Sequence, residues 1–251
     1  MAWLETPSDT FVARHDERDA ADVPKVLAQL EHARMRLEAR FPARLGPLDV
    51  ILHGSSVQLD AAEPWLPLVR RMTAPAGRRY LVGWAGEREL HVLAPRLLAH
   101  RASNVEGSLE LLMLAPAALL ARRCVAANHA GMPPPFGPRT FARWMRWAWL
   151  LEGASQFFSG QVRHVRPAVA RRLREGPAPA FPPARRDAAL LGGTVFELLA
   201  REAGEGACAR LACGPHPDGA HGALTAAFGG RAVRHTEAAW RSQLSRLREP
   251  T

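Results

Sequence analysis

One carboxylate sits where burial should forbid it. The run Trp149-Leu150-Leu151-Glu152-Gly153-Ala154-Ser155-Gln156-Phe157-Phe158-Ser159-Gly160 is apolar and spaced as a helix. Extended back to Thr140, its inward stripe reads Phe141, Met145, Ala148, Glu152 and Ser155. A carboxylate on such a stripe costs several kcal/mol unless a cation or a set of donors meets it. Either the fold brings a partner to Glu152 or burial keeps its carboxyl protonated, unless the residue merely caps the helix or lies on an exposed face of it.

The chain has 251 residues and 47% hydrophobic content, enough to build a substantial core. No stretch of about 18 uninterrupted apolar residues appears. Met1-Ala2-Trp3-Leu4-Glu5 lacks a basic region leading into an apolar one, so the expectation is a cytoplasmic protein with no membrane partner. Cys124, Cys208 and Cys213 are too few and too unevenly placed for a disulfide framework, and the last two do not have the spacing of a redox or zinc motif.

A net charge of +9 raises the question of nucleic acid. The basic residues are arginines apart from Lys25, and the abundance of Ala, Gly and Pro suggests codon bias rather than a focused patch. The one local concentration, Arg163 to Arg174 followed by Arg185-Arg186, has the spacing of a solvated helix face. A basic nucleic-acid-binding protein is thus a remote alternative.

Residues 19 to 41 read as a first helix, with Val23, Val26, Leu27, Leu30, Ala33 and Leu37 at three- and four-residue steps. Strand-like runs follow at 48–53, 79–84 and 89–93. After Pro95 the pattern is helical. The segment 105–128 is interrupted at Pro116, which must kink it or begin a new helix. Helical spacing recurs over 140–159, 187–202, 223–228 and 236–247, with proline-rich loops at 131–138 and 177–183. The expectation is an α+β chain forming a single domain over 1–251, with a small mixed sheet in about 1–100 and a helical part in about 101–251. Gly192-Gly193-Thr194 is a glycine pair with neither the lysine nor the preceding strand of a phosphate loop.

The order of these parts, with Trp149-Leu150-x-Glu152-Gly153-Ala154, resembles the gluzincin metallopeptidases, in particular their peptidase-MA-like domain with its thermolysin-like scaffold. Ala223-Leu224-Thr225-Ala226-Ala227-Phe228-Gly229 and Glu237-x-x-Trp240-Arg241-x-x-Leu244 are similar to that family's closing segments. The resemblance spans roughly Phe11 to Leu247. It implies that Glu152 stands at the position of the third zinc ligand, and that an extended peptide could pair with a sheet edge at 79–84 or 89–93.

The same resemblance implies an H-E-x-x-H helix, in which two imidazoles grip zinc and the glutamate activates a bound water. No H-E-x-x-H occurs in the chain. In one register Pro116, Ala117 and Leu120 occupy its positions; in another, Leu109, Glu110 and Met113 do, leaving Glu110 as a candidate base. His91, His100, His129 and His164 form no i, i+4 pair there, and no residue beyond Glu152 stands out as an oxyanion stabiliser.

The expectation is a pseudo-peptidase: a catalytically degenerate homologue serving as a binding or structural module, with no cofactor and vestigial Glu152. Arg122, Arg123 or His129 would then fill the space that zinc takes in active relatives. The rival expectation is a working hydrolase that holds zinc in a non-standard site. The register of the altered helix, the partner and the oligomeric state stay open.

Overall fold

The computed structural model describes residues 3–129, 131–214 and 216–248, with the side chain of Arg248 left out. Five strands form one mixed sheet: β1 (Leu4–Pro7), β2 (Phe11–His15), β3 (Leu48–His53), β4 (Gly83–Ala85) and β5 (Glu89–Leu93), in the order β1-β2-β3-β5-β4. The pairs β2–β3 and β3–β5 are parallel; β1 and β4 run antiparallel at the two edges. The parallel centre needs crossovers, and the first is α1 (Val23–Glu38) between β2 and β3. The helix expected over 19–41 is thus a crossover between two parallel strands, and further helices are interleaved before β4.

Between β3 and β4 lie three short helices, α2 (Ser56–Ala62), α3 (Trp65–Met72) and α4 (Pro75–Arg78). Beyond the sheet come α5 (Leu98–Arg101), α6 (Ser108–Met113), α7 (Ala115–Asn128), α8 (Pro138–Ser159), α9 (Arg166–Glu175), α10 (Arg185–Ala203), α11 (Glu205–Cys213), α12 (Gly219–Ala227) and α13 (Val233–Arg248). The coarse architecture is an α+β chain with a mixed N-terminal sheet and a helical second half. Among the described residues, no helix is long and apolar enough to cross a membrane.

Strand alternation divides the sheet into two unlike faces. Phe11, Ala13, Leu48, Val50, Leu52, Leu90 and Val92 are buried on one face and belong to the hydrophobic core, together with the apolar stripe of α1. Arg14, Asp49, His53, Glu89 and His91 share the other face by register. Sequence expectations for the front half need correction here. The run 79–84 is strand only from Gly83, because Pro75–Arg78 is helical and Tyr80 to Val82 is loop. β5 is hydrogen-bonded on both sides, so 89–93 offers no free edge.

Pro116 falls at the start of α7, where its missing N–H is harmless, and Leu114 separates α6 from α7. The tail is anchored by Trp240, fully buried, whose indole N–H donates to Thr194 Oγ1 at 2.8 Å on α10. Gln243 adds a bond to the Thr194 carbonyl at 3.1 Å.

Candidate functional site

α8 begins at a defined cap: the Gly137 N–H donates to Thr140 Oγ1 at 2.9 Å, and Pro138 opens the helix. A break at Trp147 (φ −114°, ψ 18°) separates its two halves, and Gly160 ends it in the left-handed region. The second half is clamped to α10. A Cβ on Gly153 would stand 2.6 Å from the Gly192 backbone, so both positions require glycine for the helices to meet. Gly192 and Gly193 thus lie inside α10, and their role is close packing. Gln156 bridges the same pair of helices, donating to the Ala189 carbonyl and accepting from the Gly193 N–H at 2.9 Å.

This clamp turns Glu152 inward. Its carboxylate accepts from the Arg122 guanidinium on α7 and from the Trp144 indole N–H at 3.3 Å. The two charged side chains are 9% and 7% exposed. Two ions so far from water lose much hydration, which their attraction offsets only because each holds the other. The Arg122 Nε is buried without an acceptor, so the guanidinium is not fully satisfied.

A cavity of about 50 Å³ adjoins this pair, with Gly83, Ala115, Ala118, Leu119, Arg122 and Glu152 among its walls. That is room for water, and far less than a peptide side chain and backbone occupy. The α7 residues sharing a cavity with Glu152 are therefore Ala115, Ala118, Leu119 and Arg122, and neither triplet considered from the sequence is among them. Ala117 and Leu120 are buried in the core. Leu109, Glu110, Met113 and Pro116 line a different and larger cavity.

Of the three cations considered for Glu152, Arg122 makes the contact. Arg123 donates instead to the Glu87 carbonyl at 2.8 Å. His129 is buried at the end of α7, its ring 6.4 Å from that of Trp147. Tyr80 donates to Ser108 Oγ at 3.3 Å. Burial pushes the thiols of Cys124 and Cys208 up to about 12 and raises that of Cys213, which suppresses thiolate chemistry. Three of the seven arginines of the run pair with carboxylates: Arg166 with Glu197 at 2.6 Å, Arg171 with Glu175 at 2.9 Å and Arg172 with Asp187 at 2.8 Å.

A second buried polar cluster was not read from the sequence. On the face of the sheet opposite the core, His53 Nε2 lies 3.0 Å from His91 Nδ1, with the rings stacked at 5.2 Å. His91 Nε2 lies 3.2 Å from both Glu63 and Glu89. One proton arrangement satisfies these contacts: His91 Nε2–H donates to the carboxylates and His53 Nε2–H donates to His91, which leaves His53 Nδ1 without a donor. Burial, aided by the charge of Glu89, pushes the Glu63 carboxyl up to about 7. Burial, with His91 adjacent, pulls His53 down to about 4. Burial also lowers His91, against the opposing pull of Glu89.

Period-two alternation places Glu89 with His91, and Asp49 with His53, on one face of the sheet. Glu63 carries no such signal, because only the turn from α2 into α3 returns it to the sheet. Among the described residues, no group of three or more His, Cys, Asp or Glu side chains is placed to hold a metal ion. No family model matches the chain, and neither a curated protein nor a solved structure does.

Proposed function

We propose that this chain is a catalytically degenerate gluzincin-like domain in which the Arg122 guanidinium takes the place of the metal, kept as a structural module. The observation that carries this reading is the buried Arg122–Glu152 pair between two packed helices. The family resemblance calls for two imidazoles one turn apart on one helix, facing a glutamate on the next. Ala118 and Arg122 are one turn apart on α7 and border the same small cavity as Glu152. Under this reading the altered motif is Ala118-Leu119-Leu120-Ala121-Arg122, two residues later than the register beginning at Pro116.

These residues do not fit zinc. A guanidinium has no lone pair to donate, Ala118 has no donor atom, and the Glu152 oxygens already accept from Arg122 and Trp144. The general base position falls on Leu119. The same cavity lacks room for a peptide, which favours a structural role over capture at the old cleft. The short antiparallel edge strand β4 supports the resemblance, but its three residues are all buried.

The test is to rebuild the motif. The triple variant Ala118→His, Leu119→Glu, Arg122→His should bind one equivalent of zinc by elemental analysis after gel filtration, and lose it when Glu152→Ala is added. A triple variant with native circular dichroism that takes up no zinc would remove the reading.

A further inference from the structure

A larger cavity lies away from Glu152. Its volume is about 480 Å³, within the range of roughly 300–1,000 Å³ typical of small-molecule sites. Its walls come from α1, the ends of β3 and β5, the segment after β5, and the α6–α7 junction. Leu52, Val92 and Leu98 form a fully buried apolar floor, and Leu109 is exposed at its edge. Lys25, Leu109 and Glu110 are exposed at its rim, so the cavity opens to solvent while its floor offers an apolar surface to the apolar part of a small ligand.

The charged groups on these walls indicate what that occupant carries. Asp22, at the N-cap of α1, and Glu110 on α6 both line the cavity. Neither makes a side-chain hydrogen bond or ion pair among the described residues, although most carboxylates in this chain have an arginine partner. Lys25 is the only cationic side chain there besides the His164 imidazole. The walls thus carry two carboxylates against one ammonium and one imidazole, within a protein of net charge +9. Arginine is the chain's usual answer to a carboxylate, and here none is supplied.

We propose that this cavity binds a primary ammonium carried on an apolar chain, with the chain on the Leu52–Val92–Leu98 floor and the ammonium between Asp22 and Glu110. The cation that the protein withholds from these carboxylates would come from the ligand, and desolvation at the apolar wall strengthens that attraction.

Octylamine, octanoate and octanol share a tail and differ in the head. Titrated into the full chain at about pH 8, where an ordinary imidazole is neutral, octylamine should bind about tenfold more tightly than octanoate by calorimetry and raise Tm most. The double variant Asp22→Asn, Glu110→Gln should erase that preference while leaving octanol binding unchanged. Met113→Trp, which fills the cavity, should weaken all three. Equal binding of the three heads, preference for octanoate, or no binding of octylamine overturns the proposal. A preference that survives the double variant overturns the assignment to Asp22 and Glu110.

Discussion

The two buried polar clusters answer the same difficulty in opposite ways. Between α7 and α8, a full negative charge meets a full positive one, and Glu152 and Arg122 hold each other as ions. On the polar face of the sheet, Glu63 and Glu89 share one imidazole, and the arginine that meets Glu89, Arg14, is half-exposed. There the protein answers burial by shifting protons: the Glu63 carboxyl rises to about 7 and His53 falls to about 4. A matched ion pair answers burial with a counter-charge, whereas a cluster of like groups stores its cost in protonation.

Breaking the matched pair should have the largest effect. Arg122→Met leaves a buried carboxylate alone and should cost about 3–5 kcal/mol, measured by urea unfolding. Adding Glu152→Leu to that variant should recover most of the loss, because both charges are then gone. If the double variant is as unstable as the single one, packing rather than charge matching explains the site.

The cluster on the sheet should respond to pH next most strongly. Glu63 has a folded value raised above 4.5, so its contribution is present below about 4.5 and is lost as pH rises through about 7. His53 has a folded value lowered from 6.5, so its contribution is present above about 6.5 and is lost as pH falls through about 4. Glu63→Gln should flatten the alkaline side of the stability profile between about pH 5 and pH 8, by on the order of 2–3 kcal/mol at most. An unchanged profile would mean that Glu63 titrates as an ordinary surface carboxyl.

Two smaller effects sharpen the contrast. Trp144→Phe removes one donor from Glu152 and should cost about 1–2 kcal/mol, less than losing Arg122, because the guanidinium remains. Arg14→Ala removes an arginine that meets Glu5, Asp49 and Glu89 on the half-exposed side of the sheet. Exposed pairs of this kind should change stability by about 0–1 kcal/mol, and by less at high salt.

Much of the helical half was legible because it is long and strongly periodic. The inward stripe through Glu152, the restart at Pro116 and the last two helices all appear in the structure within a few residues of their expected ends. The front half was less legible. β1 and β2 are short and carry Thr6, Arg14 and His15, which mask the alternation. The helices α2 to α4 are brief and interrupted by Pro64, Pro67 and Pro75, so no helical period can build up. At the candidate site, the altered motif could not be placed, because Ala118 and Leu119 have no chemistry to distinguish them from neighbouring Ala and Leu. Only their position opposite Glu152 does that.

The sequence by itself determined that Glu152 lies on the inward stripe of a helix, where burial would call for a partner, because helical periodicity is local and the cost of a bare buried carboxylate is general. Tertiary structure decided which cation answers it, since Arg122 and Glu152 are 30 residues apart and meet only when α7 packs on α8. It also brought His53 to His91 across 38 residues through the parallel pairing of β3 and β5. Contacts between distant segments depend on how elements dock, and no local pattern in the chain encodes that.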